Sequence, residues 1–144
     1  MSPAAYRSLW RNFAYFQAAL TSALGVGCLT LPGWINDLIG LDVDASSTVL
    51  LRTFGASLLF VSLLHGTLAN TDERASIRGL LYANVVEDGI LTLLSVNAIQ
   101  AGVMNGFGWL LAGAFGFEVV AAIVMLMLMP ALPQPQSPGE RSQE

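Results

Sequence analysis

RGLLYANVVEDGILTLLSVNAIQA, from Arg78 to Ala101, is the stretch on which the fold turns. As a helix its 24 residues would cover ~36 Å, slightly more than the ~30 Å hydrocarbon core of a bilayer. Yet Glu87 and Asp88 stand near its middle, and a carboxylate at that depth is costly unless it is paired, hydrated or protonated. Asn84, Asp88, Thr92 and Ser95 recur at spacings of four, four and three, so at ~100° per residue they form one stripe with Glu87 at its flank. Val86, Ile90, Leu93 and Leu94 take the opposite side. A spanning helix that turns its apolar side to lipid and its polar stripe into a bundle satisfies both halves of this pattern.

The rest of the chain has the composition that such a bundle needs. Of 144 residues, 54% are hydrophobic and 11% charged, and the mean hydropathy is +0.62, whereas soluble domains carry about 25% charged residues. Apolar runs at 12–31, 48–68, 78–101 and 107–129 are each long enough to span. The chain is therefore expected to be an all-α membrane protein: four transmembrane helices in an up-down bundle over 1–129. A Pro-rich tail, 130–144, lacks the apolar periodicity to fold. A net charge of -4 and the absence of lysine exclude the basic footprint of a nucleic-acid-binding protein. The partner that composition does imply is the lipid bilayer.

Arginine placement predicts the topology. Arg7 and Arg11 precede the first span, Arg74 and Arg78 separate the second from the third, and Arg141 follows the fourth. The other two connections carry no base, so both termini are expected in the cytoplasm. The lead with Arg7, Trp10 and Arg11 reads as an anchor with Trp10 at headgroup level. The apolar run behind it is too long for the core of a signal peptide, and no A-x-A site ends it. GVGC at Gly25–Cys28 departs from the lipoprotein cleavage box at its first position, which leaves Cys28 as a small buried residue. In the connection after the first span, Trp34, Ile35, Leu38 and Ile39 suit a short interfacial helix, with Asn36 and Asp37 turned to water. Asp37, Asp42 and Asp44 lack the spacing of a calcium loop.

Two lines of small residues, Ala19, Ala23 and Gly27 in the first span and Gly108, Ala112 and Gly116 in the fourth, are expected to be helix-packing seams. Either could serve within the bundle or between copies or with another membrane protein. The candidate buried polar cluster comprises Arg52, Asn84, Glu87, Asp88 and Glu118. Arg52 either snorkels to the outer interface or pairs with a carboxylate of the third or fourth span. One arginine cannot balance three acids, so at least one carboxyl is expected to keep its proton. His65, near the inner end of the second span, reads as an interface residue.

Catalytic constellations are largely excluded by count. One histidine and one cysteine leave no zinc or haem ligand set, and no P-loop or nucleophile elbow is present. No cofactor or metal is expected. LLRTFGASLLF at the head of the second span, the charged turn TDERASIR, a polar third span and a Gly-rich fourth together resemble the small bacterial four-helix membrane proteins of the DoxX-like grouping. The resemblance covers residues 48–129 and rests on Arg52, Gly55 and the loop arginines. It implies the four-helix fold and an address in the cell inner membrane, with no catalytic motif to carry over, and it does not extend to Glu87 and Asp88. Three functions stay open: a non-enzymatic structural or partner-binding subunit, the expected one; a small proton- or cation-coupled carrier; and a carboxylate-based enzyme acting on a lipid or isoprenoid.

Overall fold

The computed structural model describes residues 1–130; the tail expected beyond Pro130, with Arg141, lies outside the described residues. Five helices follow one another: α1 (Pro3–Thr30), α2 (Pro32–Ile39), α3 (Ala45–Leu68), α4 (Arg74–Gln100) and α5 (Gly108–Leu128). Among the described residues there is no strand. All but α2 are long and apolar enough to cross a membrane.

Local chemistry sets the helix starts. Ser2 caps α1 by accepting from Ala5 N–H, and Pro3 occupies the first turn, where its missing N–H costs nothing. At Asp44 a reciprocal box caps α3: the carboxylate accepts from Ser47 N–H at 2.6 Å, and the Ser47 hydroxyl accepts from Asp44 N–H at 3.0 Å. Gly40 ends α2 at φ 79, a left-handed conformation that favours glycine. Its neighbour across space is Asn105, whose N–H donates to Ile39 O and whose amide donates to Leu38 O. These bonds tie α2 to the α4–α5 turn and close one end of the bundle. Both described chain ends lie at the other, where Trp10 Nε1 donates to Leu68 O and Arg74 donates to Pro130 O.

The four long helices form two tight antiparallel pairs, α1 with α3 and α4 with α5, whereas α3 and α4 scarcely touch. In the first pair the backbones meet. A Cβ on Gly25 would lie 2.8 Å from Gly55 O, and one on Gly55 would lie 2.8 Å from both Gly25 O and Cys28 Cβ. One turn further along, Ser22 and Ser62 share a 2.6 Å hydrogen bond and Ser62 donates to Ala18 O. In the second pair, Gly108 sits against Ile99 and Gly116 faces Thr92; Ala112 is buried.

One expectation needs correction and two are narrowed. Ala19 and Ala23 are exposed, because the buried stripe of α1 runs through Ala14, Gln17, Thr21 and Gly25, and two residues further on is ~200° around a helix. Within the chain the seam follows the neighbouring line Ala18, Ser22 and Gly25, while Gly27 faces Ile35 of α2. Asn36 is fully buried rather than turned to water, and its amide donates to Ser47 Oγ at 3.1 Å because α2 folds back over the start of α3. Trp10, level with the end of α3, turns into the bundle rather than out toward lipid. It is fully buried in an apolar layer with Tyr6, Ala14, Ala69, Ile77, Leu81, Ala122 and Met125.

Candidate functional site

Each long helix carries one buried stripe, and each stripe is interrupted by polar residues at the same level. On α1 they are Gln17 and Thr21, one turn apart and in phase with Trp10 and Ala14. On α3 the residue is His65, in phase with Leu58 and Ser62; on α4 they are Asn84 and Asp88; and on α5 it is Glu118, between Phe115 and Ala122. The spacings of three and four that bury an apolar stripe thus also deliver these side chains to the centre of the bundle. They surround a cavity of about 20 Å³, room for about one water molecule. The apolar layer around Trp10 and Leu81 lies between this cavity and the chain-end side of the bundle.

Hydrogen bonding divides the cluster into two parts. His65 Nδ1 lies 3.0 Å from Val61 O. A carbonyl only accepts, so Nδ1 carries the proton, and Nε2 is left to accept from the Asn84 amide at 3.0 Å. His65 is therefore a neutral imidazole of defined tautomer, buried and satisfied at both nitrogens. Across the cavity, Gln17, Asp88 and Glu118 line the wall together, all three buried. Two ionised carboxylates are acceptors only and repel one another, so sharing one water-sized cavity is least costly for Asp88 and Glu118 when one of them carries a proton. Gln17 is 1% exposed and its Oε1 has no partner. An unfilled acceptor beside a water-sized cavity is what an ordered water or a mobile proton would use.

Of the residues expected in the cluster, Asn84, Asp88 and Glu118 come together. Glu87 is half-buried at the edge, where with Val61 and Asn84 it lines both the cavity and an outer groove of about 570 Å³ between α3 and α4. Arg52 does not join. It is exposed near the start of α3, and the one ion pair among the described residues is Arg7 with Asp72. The cause is distance: Arg52 lies nine residues, ~13 Å along the helix, from Val61 at the cavity wall. His65 also departs from expectation, since it is wholly buried rather than interfacial. Gln17 and Thr21 belong to the site without having been singled out. Their signal is a lone amide and a hydroxyl one turn apart on the phase of Trp10 and Ala14.

Val86, Ile90, Leu93 and Leu94 are exposed on the opposite side of α4, and Thr92 satisfies itself by donating to Asp88 O at 2.7 Å. No group of three acidic, histidine or cysteine side chains that could hold a metal occurs among the described residues.

Fold and site together define a multi-pass helical membrane protein with an acid pair buried between two helix pairs. Compared with known proteins, the chain matches no family model, no curated protein and no solved structure.

Proposed function

We propose that this is a non-enzymatic, proton-binding membrane protein, in which the Asp88–Glu118 pair holds one exchangeable proton and couples it to movement of the α1–α3 pair against α4–α5. One observation carries the reading: two acids line one small cavity at the centre of the bundle with no arginine or lysine among its lining, and the base that is present, His65, already has Val61 O and the Asn84 amide as partners at its two nitrogens. A cluster kept only for structure would gain from an arginine, and Arg52 is too far away. Acids without a cation beside them inside a membrane are stable as a protonated pair, which makes the proton a bound ligand. Glu87, on the wall shared by cavity and groove, is the group through which a proton would enter from the α3–α4 gap. In this reading both termini are cytoplasmic, the membrane is a bacterial inner membrane, and the likeness to the DoxX-like proteins is one of fold.

Infrared difference spectroscopy in lipid across pH tests it. The expected result is a protonated carboxylic C=O band at neutral pH that is lost in Asp88→Asn or Glu118→Gln, while the circular dichroism is unchanged. If no such band exists at any pH from 5 to 8 (roughly the range over which an ordinary histidine titrates), the acids are ionised and the proposal falls. A proton-coupled carrier would also collapse a pH gradient in liposomes, and the same two variants would abolish that activity.

A partner-binding role is favoured by a separate observation, the exposure of Ala19 and Ala23 one turn apart on α1. Small residues facing lipid let a further helix approach closely. An enzyme acting on a lipid or isoprenoid gains no support from a cavity the size of one water.

A further inference from the structure

A second cavity lies away from the acid pair, at the end of the bundle that bears both described chain ends. It encloses about 60 Å³ between the first turns of α1 and α4 and the carbonyl end of α5, with Tyr6, Arg7, Thr71, Asp72 and Arg74 as its polar lining. Hydrogen-bond donors predominate there. Tyr6 is 5% exposed, and its hydroxyl has no partner among the described residues. The half-buried Arg74 uses one guanidinium N–H on Pro130 O, at 2.7 Å, and a guanidinium has five. Arg7 engages Asp72 through Nε at 2.7 Å, which leaves its terminal nitrogens to donate. The Thr71 oxygen accepts from Glu73 N–H, so its own proton is available as a further donor.

Charge points the same way. Asp72 offsets Arg7, and Arg74 leaves the lining with one net positive charge. Both α1 and α4 begin here and both α3 and α5 end here, so the helix-end partial charges offset one another and the Arg74 guanidinium sets the sign. The missing group is an acceptor with one negative charge and several oxygens. We infer that this cavity takes the phosphodiester of an anionic membrane phospholipid, with Tyr6 and Arg74 as its principal donors. Free phosphate offers the same oxygens but carries more than one charge at neutral pH. The diester matches the single net charge, and it belongs to a molecule that is always present at the end of a membrane-spanning bundle.

Native mass spectrometry of the full chain, released from micelles with equimolar phosphatidylglycerol and phosphatidylcholine, tests this. Wild-type protein should retain phosphatidylglycerol preferentially. Tyr6→Phe, which keeps the ring packing, and Arg74→Gln should each reduce that adduct severalfold. Arg52→Gln, near the opposite end, should leave it unchanged. Equal retention of the two lipids, or an adduct indifferent to both Tyr6→Phe and Arg74→Gln, would overturn the assignment. So would inorganic phosphate that displaces the lipid adduct with the same dependence on both variants, since the site would then serve a free anion.

Discussion

The molecule is held together by two kinds of interface that obey different rules. Inside the α1–α3 pair, Gly25 and Gly55 bring backbone against backbone, and hydroxyls complete the seam. Between the two pairs, long side chains meet instead: Trp10, Leu81 and Met125 in the apolar layer, then Gln17, His65, Asn84, Asp88 and Glu118 around the cavity. In lipid no hydrophobic drive pulls helices together. Close packing must do so, and that leaves no free volume in a seam of this kind. The inter-pair surface tolerates volume better, since it already contains a cavity, but it is sensitive to charge and to the loss of any one hydrogen-bond partner. One interface is closed by backbone contact, and the other is made of side chains around a cavity.

Substitutions that separate volume from polarity test the contrast. The largest effect is expected at Gly25→Ala or Gly55→Ala, where the new Cβ meets a backbone oxygen that cannot rotate away. Overpacking of this type costs about 1–3 kcal/mol, partly offset by up to ~1 kcal/mol of helix propensity. Thermal unfolding in detergent should show a clear loss, and an unchanged midpoint would mean that the pair is not locked at this crossing. Asn84→Leu comes next. It keeps the volume and strands His65 Nε2, a buried acceptor whose loss of partner costs about 1–3 kcal/mol, so stability should fall although the side chain is more apolar. Ser62→Ala removes the bonds to Ser22 and Ala18 O, and it should cost only about 0.6 kcal/mol, the average for such bonds between membrane helices. Gly113→Ala is the counter-case. Nothing lies within 4 Å of its added Cβ, so the expected change is a gain of up to ~1 kcal/mol from propensity alone.

The smallest effect concerns pH at the start of α3, outside the membrane. Hydrogen bonds from the Ser47 backbone and side chain hold the Asp44 carboxyl below its ordinary range. A folded-state value below the unfolded one means that the unfolded chain takes up the proton first. The cap therefore contributes fully above the usual carboxylate value of about 3.9, and its contribution fades as pH falls through the folded value. Protection of the Ser47 and Thr48 amides, taken relative to intrinsic exchange at each pH, should fall over that acidic window in the wild type and lose its pH dependence in Asp44→Asn. Persistence of the pH dependence in Asp44→Asn would assign it to another group.

Much of this architecture was legible in the chain because it depends on composition and period. Apolar runs long enough to span mark the four long helices, Pro32 and Gly33 break the first run, and the stripe through Asn84 and Asp88 marks the inner face of α4. What the sequence left open was which of two equivalent patterns met a neighbour. Ala19, Ala23 and Gly27 form as regular a line of small residues as Ala18, Ser22 and Gly25, and only the packed pair selects the second. Arg52 and Glu118 are opposite charges that a chain could bring together, yet the axial offset between them is a property of the assembled bundle. Gln17 and His65 are isolated polar residues along the chain, and only the packed helices bring them to one cavity wall with Glu118 and Asn84. Periodicity determines which side of a helix is buried, since that depends on one segment alone. Partnership depends on the rotation and stagger of several helices at once, and that is settled only when their backbones come into contact.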